Sequence, residues 1–125
     1  MEERKMNLLV TGGRDFTDKD RIWKALDWVH AKYTIECLFH GAARGVDTIC
    51  ADWSVSRRTH RAAAQAEWDV YGKKAGIIRN QKMLDWNPDY LIAFPGGRGT
   101  GHMVRIAMTR RANTGSPIIW DLRSR

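Results

Sequence analysis

The sequence is poor in cysteine and has no long apolar run, and each shortage excludes a class of protein. Its two cysteines, Cys37 and Cys50, are too few and too scattered for a disulfide framework or a zinc site. No stretch approaches the ~18 apolar residues of a membrane-spanning helix. The charged start, MEERKMNLLV, shows neither the apolar region nor the cleavage site of a signal peptide. We therefore expect a cytoplasmic protein with reduced thiols, no metal site and no membrane partner.

Acidic residues are scarce relative to basic ones. The chain has 21 Lys and Arg against 14 Asp and Glu, which gives a formal net charge of +7 at pH 7. This balance favours anionic partners such as nucleic acid or phosphorylated small molecules, although a solvated basic surface explains it equally well. With 125 residues, of which 43% are hydrophobic and 28% charged, the chain fits one globular domain over 1–125.

Short apolar runs alternate with amphipathic segments along the chain. The runs 6–10, 35–39, 89–94 and 117–122 are strand candidates, whereas 18–30, 46–57, 73–86 and 100–111 read as helices. This alternation predicts an α/β sandwich with a mostly parallel sheet flanked by helices. The segment 59–68 is ambiguous, because alternation requires a strand where its alanines prefer a helix. The sheet therefore has four or five strands.

Glycine is concentrated in three turns, each between a strand and a helix. They read TGGRD at 11–15, GAARGVD at 41–47 and PGGRGT at 95–100. In a parallel sheet such turns meet at the carboxyl edge, where ligands bind. Glycine allows close approach of the backbone, and the following helix offers unpaired N–H groups, so phosphate is the expected occupant. The spacing matches neither the P-loop nor the GxGxxG motif.

We predict that these turns and the segment 67–80 contact a ligand. Arginine side chains suit phosphate, and the aromatic residues of 67–80 can stack on a base or pack in the core. Any one glycine turn can also be only a tight turn, and Asp47 can equally cap a helix. The predicted ligand-binding residues are Gly12, Gly13, Arg14, Asp15, Gly41, Arg44, Gly45, Asp47, Trp68, Tyr71, Lys73, Arg79, Asn80, Pro95, Gly96, Gly97, Arg98, Gly99 and Thr100.

Four ordered blocks resemble a known family. TGGRDF (11–16), HGAARGVD (40–47), EWDVYGKKAGIIRNQKML (67–84) and AFPGGRGT (93–100) together resemble the YspA/YpsA-related members of the SLOG superfamily, which includes the LOG and Smf/DprA proteins. The resemblance covers nearly the whole chain. It implies a Rossmann-like fold, a nucleotide or nucleotide-derived ligand at the glycine turns, a homo-oligomer, and a strand in the alanine-rich segment before Trp68.

The resemblance leaves the reaction open. LOG enzymes cleave the N-glycosidic bond of nucleoside monophosphates with an arginine, matched here by Arg79, and a glutamate after PGGxGT. The three residues after Thr100 are not acidic, although glycoside cleavage requires a carboxylate. We therefore expect a sensor or sequestering module for a phosphorylated nucleoside or nucleotide derivative. The alternatives are a LOG-like nucleotide N-glycosidase and a single-stranded nucleic-acid-binding protein. The catalytic candidates are Asp15, Asp47, Asp69 and His102.

Overall fold

A five-stranded, all-parallel sheet forms the centre of the computed structural model, which describes residues 5–124. The strand order is β3-β2-β1-β4-β5. The strands are β1 Met6–Thr11, β2 Ile35–His40, β3 His60–Ala63, β4 Tyr90–Ala93 and β5 Ile118–Asp121. The α-helices are α1 Lys19–Tyr33, α2 Val46–Arg57, α3 Trp68–Tyr71, α4 Ala75–Asp85 and α5 Arg98–Thr114, and a 3-10 turn spans Gly72–Lys74. The predicted α/β, Rossmann-like architecture is confirmed.

Both faces of the sheet are covered, which explains why its central strands are continuously apolar. Along β1, Leu8 and Val10 pack in the core with α1 and α2, whereas Leu9 packs in the core with α4 and α5. All three are fully buried. The chain runs outward from β1 to β3 and then returns to place β4 on the other side of β1. This reversal creates the crevice at which open α/β sheets bind ligands.

The ambiguous segment supplies the fifth strand. Residues His60–Ala63 pair in parallel with Cys37–His40 of β2, as alternation and the family resemblance predict. The helical preference of the alanines is overridden because pairing with β2 satisfies the backbone groups of this edge strand. Three helices differ from their predicted bounds: α1 continues to Tyr33, α4 begins after a 3-10 turn, and α5 extends at both ends to Arg98–Thr114. Among the described residues, no helix is both long and apolar enough to cross a membrane.

Candidate functional site

Backbone hydrogen bonds join the three glycine turns at the carboxyl edge of the sheet. The Gly13 N–H donates to the carbonyl of Pro95 at 2.8 Å, and the Gly13 carbonyl accepts from the Val46 N–H at 3.3 Å. The packing leaves no room for side chains. A Cβ on Gly13 would lie 2.9 Å from the Cα of Gly96, and one on Gly12 would lie 2.5 Å from a Val46 methyl. Gly13 therefore connects the β1 turn to both of the others.

A cavity of about 390 Å³ opens beside the joined turns, at the carboxyl ends of the paired strands β1 and β4. Its size is within the usual range for small-molecule sites. The walls come from the end of β1, the loop before α2, the segment from α3 to α4, and the first turn of α5. The predicted ligand-binding residues that line it are Gly12, Gly13, Arg14, Asp15, Asp47, Trp68, Arg79, Asn80, Gly97, Gly99 and Thr100.

Several predicted residues lie outside this lining. They are Gly41, Arg44, Gly45, Tyr71, Lys73, Pro95, Gly96 and Arg98. Arg44 instead lies 3.6 Å from Asp15, with both side chains largely exposed. The lining also contains residues that sequence reasoning missed, namely Val10, Thr11, Ala43, Gly76 and Met83. Most of these read as ordinary strand or core positions, and only Gly76, a glycine within a helical pattern, carried a signal.

The first turn of α5 presents open backbone to the cavity. The Gly101 N–H donates to the Gly97 carbonyl at 3.0 Å, so the N–H groups of Arg98, Gly99 and Thr100 have no acceptor within the helix. A Cβ added at Gly97 or Gly99 would meet nothing within 4 Å. An anion at this point would gain both the unpaired donors and the positive end of the helix dipole.

Asp47 is a buried carboxylate in the cavity wall, with only 6% of its surface exposed. Its Oδ2 accepts hydrogen bonds from the N–H groups of Gly41 and Ala43, both at 3.2 Å. It therefore orders the loop before α2 and does not cap the helix, whose N-cap residue is Gly45. Burial raises the pKa of Asp47 to about 6, although these hydrogen bonds and the charge of Arg79 oppose the shift.

Arg79 and Asn80 lie side by side on α4 and connect two of the turns. Arg79 donates from Nη1 to the Gly41 carbonyl at 2.7 Å and from Nε to the Asn80 Oδ1 at 3.1 Å. The buried Asn80 donates from Nδ2 to the Gly99 carbonyl at 3.1 Å, and the same atom lies 3.1 Å from the His102 Nδ1. These contacts hold the guanidinium of Arg79 between the Asp47 loop and the start of α5.

Two catalytic candidates lie outside the cavity lining, whereas Asp15 and Asp47 lie within it. Asp69 is exposed on α3. His102 supports Asn80, and because an amide nitrogen can only donate, the His102 Nδ1 accepts. Burial, followed by the charge of Arg105, lowers the pKa of His102, so this histidine is neutral near pH 7. Among residues 5–124, no group of three or more His, Cys, Asp or Glu side chains is arranged to hold a metal ion.

Trp68 forms an aromatic wall of the cavity. It is 50% exposed, and a Cβ added at Gly76 would lie 3.5 Å from its Cη2 atom. Trp68, Gly76 and Met83 all line the cavity. An exposed indole in such a wall offers a flat apolar surface to a planar group.

Comparisons with known proteins agree with the resemblance noted in the sequence. Residues 6–71 match the family model described as YAcAr: YspA, cpYpsA-related SLOG family. Over 122 residues, the chain is 35% identical to the Gene 61 protein of Mycobacterium phage D29, a match that covers 90% of this chain and 93% of the phage protein. The family match contains the first two glycine turns and Trp68. Arg79 and the PGGRGT turn lie beyond it.

Proposed function

The chain belongs to the YspA, cpYpsA-related SLOG family, and from this premise we propose that it binds a phosphorylated nucleoside or nucleotide-derived ligand as a sensor or sequestering module. Family membership is consistent with nucleotide-derived ligands in general. The observation that carries the proposal is the meeting of three glycine turns around one cavity that also contains the start of α5.

The phosphate would occupy the first turn of α5. The unpaired N–H groups of Arg98, Gly99 and Thr100 can bind its oxygens, and the absence of side chains at Gly97 and Gly99 leaves this approach open. Arg14 lines the same cavity and can add positive charge. Arg98 lies outside the lining, so its expected contribution is through its backbone N–H group.

The base would stack on Trp68. Trp68 and Met83 are the apolar side chains that line the α3–α4 wall, and Gly76 leaves the space beside the indole free of a side chain. Aromatic side chains stack on any of the bases, since each base has a π-face. This arrangement supports a nucleoside ligand of unspecified base.

The phosphate site is tested by comparing Gly99→Ala with Gly101→Ala. Both positions lie in the first turns of α5, but only Gly99 lines the cavity. Alanine should stabilise the helix by ~0.5–1 kcal/mol at either position. We expect Gly99→Ala to weaken binding of a nucleoside 5′-monophosphate roughly tenfold or more, which corresponds to ~1.4 kcal/mol, and Gly101→Ala to leave it unchanged.

Isothermal titration calorimetry with the four common ribonucleoside monophosphates measures this difference, with the corresponding nucleosides as the phosphate-free controls. Equal affinities of the two alanine variants would show that the phosphate does not bind at this turn. If none of the monophosphates bound the wild type, the proposed function itself would be wrong.

A nucleotide N-glycosidase is the second candidate, and the carboxylates of Asp15 and Asp47 in the cavity favour it. Cleavage needs one carboxylate near the sugar and an acid that assists the leaving base. Chromatography of the ligand recovered after incubation separates the two functions. Intact nucleotide indicates a binding module, whereas free base with ribose phosphate indicates an enzyme.

We also propose that residues 1–125 form one domain that self-associates in the cytoplasm. Trp28 is 56% exposed, and its ring meets that of Trp120 edge to face at 5.9 Å. Such an exposed aromatic surface is typical of interfaces. Native mass spectrometry of the ligand-free protein gives the number of copies directly.

A further inference from the structure

We infer, on the basis of the proposed function, that Asp47 accepts a hydrogen bond from the 2′- or 3′-hydroxyl group of a ribose, so that the site discriminates against a nucleotide that lacks this hydroxyl. The ligand would then be a ribonucleotide or a derivative that keeps the free hydroxyl groups of its ribose.

The carboxylate of Asp47 has one oxygen available to a ligand. Both hydrogen bonds that Asp47 accepts in the described chain end on Oδ2, from Gly41 and Ala43. The residue lines the cavity, and no buried polar side-chain atom of the described residues lacks a partner. Oδ1 is therefore not shut away without a partner, and it is the oxygen that a ligand in the cavity can reach.

Only a hydrogen-bond donor can approach that oxygen favourably. An ionised carboxylate accepts hydrogen bonds and cannot donate them, and it repels a phosphate, which carries the same charge. In a nucleotide the donors are the hydroxyl groups of the sugar and the amino or ring N–H groups of some bases. The phosphate is therefore excluded from the neighbourhood of Asp47 and directed to the start of α5.

The position of Asp47 relative to the phosphate site favours the sugar over the base. Arg79 and Asn80 form a continuous chain of hydrogen bonds from the Gly41 carbonyl, beside Asp47, to the Gly99 carbonyl in the first turn of α5. Asp47 is thus separated from the phosphate turn by these two side chains. The sugar is the part of a nucleotide directly bonded to the phosphate, whereas the base would lie on Trp68.

A buried acceptor with this orientation discriminates strongly between ligands that carry the hydroxyl group and ligands that lack it. A site built to hydrogen-bond a hydroxyl group rejects an analogue that lacks it, because the polar group of the protein then loses its water without gaining a partner. Acidic side chains read the ribose hydroxyls in other doubly wound α/β folds by the same chemistry.

The test is the ratio of affinities for a ribonucleoside 5′-monophosphate and its 2′-deoxy counterpart, with the 3′-deoxy compound as a third probe. We expect the wild type to prefer the ribonucleotide roughly 10- to 100-fold over at least one deoxy compound, since a buried acceptor that is left without a donor is strongly unfavourable. In Asp47→Asn the amide oxygen can still accept from Gly41 and Ala43, but its NH2 group replaces the free acceptor. We expect this variant to bring the ratio close to one.

Asp52→Asn serves as the matched control, because Asp52 is exposed on the same helix and should leave the ratio unchanged. If the wild type bound ribose and both deoxyribose nucleotides equally, yet lost affinity for all of them in Gly99→Ala, the inference would be wrong while the proposed function stood. The wild-type ratio alone decides this even if Asp47→Asn fails to fold. If no nucleotide bound the wild type, the inference and the proposed function would both be wrong.

Discussion

At the scale of single residues, two aspartates show how burial and pairing compete. Asp27 accepts two hydrogen bonds from Arg57, at 2.8 and 2.9 Å, and a third from Trp53. These bonds, with that of Arg57 foremost, lower the pKa of Asp27 despite some desolvation. Asp47 also lies near an arginine, Arg79, but burial dominates and its pKa is raised. Of these two aspartates, Asp47 is therefore the one whose ionised form is disfavoured by the fold.

The raised pKa of Asp47 predicts a pH-dependent stability of the ligand-free protein. Because the pKa is about 6 in the folded chain and ordinarily 3.8, the folded state binds this proton more tightly than the unfolded state does. The resulting stabilisation is fully present below about pH 3.8 and is lost as the pH rises to about 6. At ~1.36 kcal/mol per pKa unit, it amounts to about 3 kcal/mol at most.

Urea unfolding of the wild type and of Asp47→Asn at pH values between 4 and 7 measures this effect. The free energy of unfolding of the wild type should fall, relative to that of the variant, as the pH rises through this range. Asp27 and Asp121, which accept hydrogen bonds from Arg57 and Arg123, have lowered pKa values, so their titration in the folded protein lies below this range. Parallel curves for the two proteins would show that Asp47 titrates alike in the folded and unfolded states.

At the scale of elements, the junction between the β1 turn and α2 depends on one glycine. Gly45 has φ +78° and ψ −124°, and a Cβ there would overlap the carbonyl of Arg14. Gly72, after α3, has a similar backbone with φ +57° and ψ −133°, but a Cβ there would meet nothing within 4 Å. The two positions therefore share the backbone strain and differ in crowding.

We expect Gly72→Ala to destabilise the protein by ~1–3 kcal/mol through backbone strain alone. Gly45→Ala should cost several kcal/mol in total, because it also forces α2 away from the β1 turn. Thermal and urea unfolding of both variants measure the difference, with the unsubstituted protein as reference. Equal destabilisation by the two substitutions would mean that the backbone at Gly45 relaxes without disturbing the junction.

The strand–turn–helix units could be predicted from the sequence because their signals are local. Apolar runs and glycine turns located four strands and the binding edge, and the helical periods located the longer helices. The contacts between elements could not be predicted in the same way. Nothing local indicates that Asn80 would bond to the Gly99 carbonyl. The strand at His60–Ala63 is short, mostly exposed and rich in alanine, so only its pairing with β2 makes it a strand.

The same distinction applies to the candidate site. Of the three arginines predicted in the glycine turns, Arg14 lines the cavity, whereas Arg44 and Arg98 lie outside its lining. Arg79, predicted from the segment 67–80, also lines the cavity. Met83 lines the cavity but is also buried in the core, so its sequence pattern is that of a core residue. A side chain that serves the core and the site together leaves no separate trace in the sequence.

At the scale of the whole molecule, the net charge of +7 suits two kinds of anionic partner, and the structure distributes that charge unevenly. Some arginines are paired on the surface, for example Arg57 with Asp27 and Arg123 with Asp121. In the cavity, Arg14 and Arg79 lie with Asp15 and Asp47. The cavity therefore carries balanced charge, and the excess positive charge lies elsewhere on the surface.

This distribution predicts that nucleotide binding depends only weakly on salt. A mononucleotide carries no condensed counterions to release, so screening alone should lower its affinity by no more than a few-fold, on the order of 2–4, between 50 and 200 mM salt. A protein that contacts 6–10 phosphates of a nucleic acid loses ~10³–10⁵-fold over the same interval.

Fluorescence anisotropy with a labelled single-stranded 20-mer, beside calorimetry with the mononucleotide, measures the two slopes on the same sample. If the 20-mer bound more tightly than the mononucleotide, with a steep slope and no loss in Gly99→Ala, the surface charge and not the cavity would be the binding site. If the mononucleotide shows a shallow slope and its binding is weakened in Gly99→Ala, the anion binds at the start of α5. There the helix dipole and the backbone donors act at short range, where salt screens them least.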